Sequence, residues 1–347
     1  KKAVEKNLIK LDKKIESILP VIAERYGFTQ DVTIEECHDA LVRQAQWLNL
    51  VFAVGKGNHK TQLQRDIETL EAFLSKKAEY ASHLGKFGSR NSYSKTDVDA
   101  TFMHMKEDAM NNGQTKPGYN VQIATENQYI VNYDLYWRPT DYGTLIPFLE
   151  SFYDKFGFYS SEIVADSGYG SEQNYEFMFA NGMTPYVKYN MFHKEMKRKF
   201  LKNPFHQANM FYNQEQDFYV CPMGQHMEHI TDKKTVSDLG YISNTSVYRA
   251  ANCSKCPLRG MCYSGKCDRR AIEVNHKANS YKSSAKTLLT SQRGLIHRSN
   301  RPIEPEACFG DIKFVHGFKR FHLKSTWKTT VEWGFGSLAH NLRKYAA

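Results

Sequence analysis

A short apolar run, Glu162-Ile163-Val164-Ala165, leads into Asp166-Ser167-Gly168-Tyr169-Gly170, and no other stretch constrains the fold so closely. Such a run before a turn signal predicts a strand, with the Asp166 carboxylate at its tip. In mixed α/β sheets the groups that do chemistry often lie just beyond strand ends. About 140 residues later comes Arg301-Pro302-Ile303-Glu304-Pro305-Glu306-Ala307-Cys308-Phe309-Gly310-Asp311-Ile312-Lys313. Seven residues separate Glu306 from Lys313, which puts both near one helical face, two turns apart. Carboxylates on separate elements among Arg and Lys suit two-metal phosphoryl transfer on nucleic acid.

Ahead of that strand the pattern changes twice. Val4, Leu8, Leu11, Ile15 and Leu19 recur at three- and four-residue steps among lysines and glutamates, predicting a helix that Pro20 kinks or divides. Further helices are predicted from about Thr33 to Phe52 and from Lys60 to Leu84, the last with a stripe of Leu63, Ile67, Leu70, Phe73 and Leu74. Together they read as an arm packed on a neighbour, in preference to a direct DNA contact. Gly85 to Ser94 reads as a linker. Beyond it, Tyr119–Ala124 and Tyr129–Leu135 alternate around Glu126-Asn127, a hairpin signature. Asp141 reads as the cap of a helix through Leu145, Phe148, Leu149 and Phe152. Hairpin, helix, strand and helix in this order predict an α/β fold with a mixed sheet.

The 347 residues carry a formal net charge of +10, which favours a polyanionic partner. No run of about 18 apolar residues is present, so no transmembrane helix is expected. Lys1-Lys2-Ala3-Val4-Glu5-Lys6 lacks the apolar core of a signal peptide, and the absence of an initial Met suggests a fragment or a processed product. Seven cysteines, four of them clustered, suit a reducing compartment better than a disulfide framework. Cys221, Cys253, Cys256 and Cys262 have the spacing of two knuckles of a structural zinc site, with Cys267 as a competitor and unliganded thiols as the plain alternative. Cys37 and Cys308 stand apart and read as packing residues. Lys194, Lys197, Arg198 and Lys199 form a basic run that suits either phosphates or a solvated helix face.

Taken in order, Lys116-Pro117-Gly118-Tyr119-Asn120-Val121-Gln122, Ala165-Asp166-Ser167-Gly168-Tyr169, Glu306-x-x-Phe309-Gly310-x-x-Lys313 and Gly317-Phe318-Lys319-Arg320-Phe321 resemble transposases of bacterial insertion sequences with a DDE catalytic triad. So does the closing Leu338-Ala339-His340-Asn341-Leu342, and the resemblance runs from about residue 93 to the end. It implies an RNase H-like mixed sheet with flanking helices that cuts and joins DNA ends with two Mg²⁺ or Mn²⁺ ions. By position, Asp166 resembles the second catalytic aspartate and Glu306 the catalytic glutamate, both metal ligands. Arg301, Lys313, Lys319 and Arg320 resemble the basic residues that hold DNA phosphates. Hard Mg²⁺ prefers carboxylate oxygen, and a guanidinium can clamp a phosphate with two hydrogen bonds.

The resemblance divides the chain into a helical arm (1–92), a first part of the core (93–190), a Cys-containing insertion (191–282) and the part of the core with the glutamate (283–347). It implies element ends and target DNA as partners, a homodimer, no membrane, and a bacterial cytoplasmic, nucleoid-associated location. The first aspartate of such a triad stands in an Asp-Gly-Thr strand that is not found here. The chain is therefore expected to be truncated at its N-terminus and inactive alone, or to be an inactive DNA-binding remnant. Asp97 and Asp99 are the nearest substitutes and read better as turn residues. Glu304, Glu332 and His340-Asn341 read as structural.

Overall fold

The computed structural model describes residues 1–28, 31–55, 58–105, 113–265 and 267–346, which form two compact units, Lys1–Gly118 and Tyr119–Ala347. In the first unit the three- and four-residue spacing becomes helices α1 (Lys2–Arg25), α2 (Ile34–Trp47) and α3 (Gln62–Phe87). All five residues of the expected α3 stripe pack with Ile22, Ile34, Cys37 and Leu41 in one core. Thr33 and Glu36 cap α2 reciprocally, Thr33 accepting the Glu36 N–H at 3.2 Å and donating its own to the Glu36 carboxylate at 3.0 Å. Pro20 does not divide α1: core contacts on both sides of it, from Ile15, Ile18, Leu19 and Ile22, hold the helix together. Gly85 likewise lies inside α3, so the expected linker starts only at Gly88, where φ is +51°. Strands β1 (Thr101–His104) and β2 (Thr115–Gly118) pair antiparallel in the same unit.

The second unit opens with the expected hairpin, β3 (Asn120–Glu126) against β4 (Tyr129–Tyr136). Asn127 and Gln128, at φ +50° and +61°, make the two-residue turn that matches the twist of such a ribbon. Then come α4 (Leu145–Phe156), β5 (Glu162–Ala165), a 3₁₀ turn (Ser167–Tyr169), α5 (Glu172–Ala180) and β6 (Thr184–Val187), which is parallel to β5. The single mixed sheet expected from this order is not what forms. Among the described residues, β3–β4 and β5–β6 are separate pairs, each steadied by helices on its face. A two-stranded pair is marginal in water and needs such cover.

Residues 191–282 are less loop-rich than the sequence suggests. After two single-turn helices, α6 (Phe192–Glu195) and α7 (Arg198–Leu201), comes a five-stranded antiparallel sheet. Its members are β7 (Phe211–Asn213), β8 (Phe218–Val220), β9 (His226–Val236), β10 (Ile242–Ala250) and β11 (Ala271–Val274), stacked in sequence order. Met227, Tyr248, Ile272 and Val274 give it a core of its own. A short turn, α8 (Arg259–Cys262), lies in the β10–β11 connection.

Helices α9 (His276–Thr290), α10 (Gln292–Asn300) and α11 (Glu304–Gly310) follow, then a π-helical turn (Asp311–Val315) and α12 (Thr326–Ala346). Trp333 of α12, Ile312 and Cys308 bury against Ile130 and Leu135 of the hairpin. A Cβ at Gly334 would stand 2.2 Å from the Tyr133 hydroxyl, so a larger residue there would have to push the end of that side chain aside. His340 and Asn341 act structurally. The Asn341 amide satisfies both backbone groups of Ile130 at 2.9 Å, and His340 Nε2 lies 2.8 Å from the Gln128 carbonyl. Glu304 accepts the Gln128 N–H at 2.7 Å, while Glu332 accepts those of His322 and Leu323. Among the described residues no helix is long and apolar enough to cross a membrane.

Candidate active site

Asp166 follows β5 directly, and its Oδ1 accepts the Ser167 N–H at 2.8 Å, capping the 3₁₀ turn. A Cβ on Gly170 would come within 2.2 Å of the Lys188 carbonyl, so glycine alone lets this loop lie on the chain after β6. The Asn174 amide holds the Tyr169 carbonyl at 2.8 Å. These local devices fix the Asp166 backbone and leave 49% of its side chain exposed.

Glu306 reaches the same place through a helix whose side chains tie it to both ends of β5. At the start of β5, Glu162 accepts hydrogen bonds from Arg293 (Nη2 at 2.7 Å) and lies 3.1 Å from His297 Nε2. The Arg293 hydrogen bond is the main reason the Glu162 carboxyl is held below its ordinary range. From Glu162 to Asp166 is four strand steps, about 13 Å. From Arg293 to Arg301 is eight helical steps, about 12 Å. Anchored at one end, α10 therefore delivers Arg301 to Asp166 at the other. Arg301 Nη2 stands 3.3 Å from Asp166 Oδ2 and its Nη1 2.7 Å from Glu306 Oε1. One guanidinium thus joins two carboxylates that lie 140 residues apart in the chain.

The basic residues divide by environment. Lys313 lies in the π-helical turn, which winds more residues per turn than the α-helix assumed for its seven-residue spacing from Glu306. Its Nζ lies 5.8 Å over the Phe309 ring. Lys319 and Arg320 are exposed between Phe318 and Phe321, whose rings pack on Trp333. The two phenylalanines are the anchors that hold the two cations out to solvent. Lys194, Lys197, Arg198 and Lys199 are also exposed, spread across α6, α7 and the step between them.

One set of residues was not expected near the site. Asp141 does not cap α4 with its side chain: the helix starts at Leu145, and Asp141 offers only its carbonyl, to the Thr144 N–H and hydroxyl. Its Oδ1 instead accepts from the Asn120 and Gln122 amides, each at 3.1 Å. The Tyr169 hydroxyl donates to Gln122, and burial, then the Asp141 charge, raise the Tyr169 pKa. Asp141 Oδ2 lies 3.3 Å from where a Gly168 Cβ would stand, directly behind the Asp166 loop. The signal was present in β3, where Asn120 and Gln122 share one face at a period of two.

Asp97 and Asp99 lie in the first unit. The Asp97 carbonyl accepts the Ala100 N–H at 3.1 Å and its carboxylate the Asp99 N–H at 3.3 Å, while Arg90 holds the Asp99 carbonyl. That is turn geometry. Cys37 and Cys308 are buried; burial pushes the Cys308 thiol up to about 11. Cys221, Cys253, Cys256 and Cys262 line one small cavity, and Cys267 is not among its lining residues. Among the described residues no three His, Cys, Asp or Glu side chains are gathered as a metal-holding group.

Residues 220–346 match the family model for the transposase DDE domain. No curated protein and no solved structure matches the chain. The family match covers a little over a third of the length, taking in β9–β11, Arg301, Glu306 and Lys313 but not Asp166. It supports a DDE transposase and, with it, an enzyme that acts on DNA.

Proposed function

We propose that the chain is a DNA transposase of an insertion sequence, in which Asp166 and Glu306 are catalytic carboxylates of an RNase H-like core. The observation that carries this reading is the bridge of Arg301 to both of them, at 3.3 and 2.7 Å. Both are about half exposed and offer hard oxygen donors, which fit Mg²⁺ or Mn²⁺. Bound there, such ions would activate water or a 3′-hydroxyl and stabilise the leaving oxygen. Arg301 offsets the mutual repulsion of the two carboxylates and has the planar fork to hold a phosphate between them. Lys319 and Arg320, pushed outward by their phenylalanine neighbours, and Lys313 give phosphate contacts along the flanking DNA. Joining two element ends to a target suits two copies of the chain, and a homodimer is the assembly this reading implies.

The test is metal-dependent cleavage and joining on duplexes ending in the repeats that flank the coding sequence. Glu306→Gln and Asp166→Asn are run alongside, with Asp97→Asn and Asp99→Asn as controls. Cleavage lost in the first two variants and kept in the controls is the expected result, whether the parent cuts alone or only with an Asp-Gly-Thr strand supplied upstream. Full activity in Glu306→Gln would sink the assignment. Tight binding of the ends without cutting, in parent and variants alike, would make the chain an end-holding protein instead.

A further inference from the structure

The cysteine cavity is independent of the carboxylate site, and its chemistry points elsewhere. Cys221 opens a tight turn: its carbonyl accepts the Gly224 N–H at 2.8 Å, its N–H goes to the Gln225 carbonyl, and Gly224 has φ +79°. Cys253 and Cys256 sit in a second turn, with the Cys256 N–H on the Cys253 carbonyl at 3.4 Å. Cys262 ends α8, 41 residues from Cys221 in sequence yet on the same cavity. The cavity measures about 20 Å³, room for one small species. Arg270 forms part of the wall and addresses two of the sulfurs: its backbone N–H points to Cys253 Sγ at 3.5 Å and its guanidinium to Cys262 Sγ at 2.8 Å. Its other nitrogen is fixed on the Phe205 carbonyl at 2.6 Å.

We infer that Cys221, Cys253, Cys256 and Cys262 bind one Zn²⁺ as a closed structural site, with Arg270 as its outer partner. Four thiolates around Zn²⁺ carry a net charge of −2, and a fixed guanidinium with a backbone N–H on the sulfurs offsets part of it. The sulfurs line the cavity without being gathered as a ligand group, so binding turns them inward and releases their protons to solvent. No position is left for water, so the site does not catalyse. Its work is to fold the β10–β11 connection, which a carbonyl-binding arginine, Arg259, also ties at Cys253, Cys267 and Asp268.

The experiment is metal analysis of the whole purified chain, with thiol titration under native conditions. One zinc per chain is expected, and Cys267→Ser should keep it while Cys253→Ser and Cys256→Ser lose it. Cobalt substitution of the parent gives a second reading that does not depend on any variant folding: intense tetrahedral thiolate bands are expected. Arg270→Gln should give up zinc to a competing chelator roughly 10- to 100-fold more readily. Metal-free parent protein with the Cys221, Cys253, Cys256 and Cys262 thiols as open to the reagent as that of Cys267 would overturn the proposal. So would zinc held equally by Cys253→Ser. Unchanged retention in Arg270→Gln would remove Arg270 from it. None of these readings depends on DNA cleavage, so the zinc site and the transposase reading stand or fall separately.

Discussion

The helical unit and the unit that holds Asp166 and Glu306 are built in opposite ways. In the first, residues three and four apart make the faces that pack, and the core of α1–α3 is composed of the stripe residues themselves. Among its described residues the one buried carboxylate, Asp66, takes Arg25 at 2.5 Å and the Tyr26 hydroxyl at 3.0 Å. That unit needs no chemistry to explain its polar groups. In the second, the strand pairs are short, and long-range polar contacts set their positions: Glu162 with Arg293, Asn341 with Ile130, Arg301 with Asp166. A region that holds two carboxylates about one cation while exposing half of each is arranged for something other than stability.

The contrast can be broken most severely at Trp333, 3% exposed and packed by Phe309, Phe318 and Phe321. Trp333→Ala should lose about 3–5 kcal/mol and release both the Glu306 helix and the loop of Lys319 and Arg320. Chemical denaturation measures the first effect, and DNA affinity the second. Leu70→Ala, at a fully buried position of α3, should lose about 2–5 kcal/mol. Hydrogen exchange should place that loss in α1–α3 and leave α10–α12 protected; loss spread over both would show the units to be less separate than drawn.

Arg301→Ala sharpens the difference from the other side. It should leave the denaturation midpoint nearly unchanged while lowering cleavage roughly 100-fold, the scale of removing one preorganised group from a transition-state site. A stability loss without an activity loss would make the bridge a structural one. The smallest effect is in pH. Glu162 is held below its ordinary 4.5, chiefly by Arg293. A carboxylate lowered in the folded state adds stability that is present above 4.5 and lost as pH falls through the folded value. The α10–β5 clamp should therefore loosen only in acid, and Glu162→Gln should flatten that part of the stability curve. A variant curve that still falls as steeply there would remove Glu162 from the account.

Much of this was legible in advance, for identifiable reasons. The α3 stripe, the hairpin and the strand before Asp166 depend on spacings of two to four residues, which sequence displays directly. Pro20 and Gly85 misled, because packing on either side outweighs one missing hydrogen bond or one flexible residue. Asp141 misled too: its position before a helix suited a cap, whereas Asn120 and Gln122, on β3, claim its carboxylate. The split of the expected mixed sheet into two pairs had no local signal strong enough to read, and in the five-stranded sheet after it only Phe218-Tyr219-Val220 and Ser246-Val247-Tyr248 read as strand-like.

The sequence by itself determined which residue types were on hand: carboxylates at a strand tip and on a late helix, a basic surround, and four cysteines in knuckle spacing. Only the tertiary structure decided that Arg301 joins Asp166 to Glu306 and that the four cysteines share one cavity. The physical reason is the range of the forces. Periodicity records what a residue does to its neighbours within a turn or a strand. The meeting of groups 140 residues apart depends on α10 and β5 having matched lengths and a shared anchor at Glu162, which no local pattern encodes.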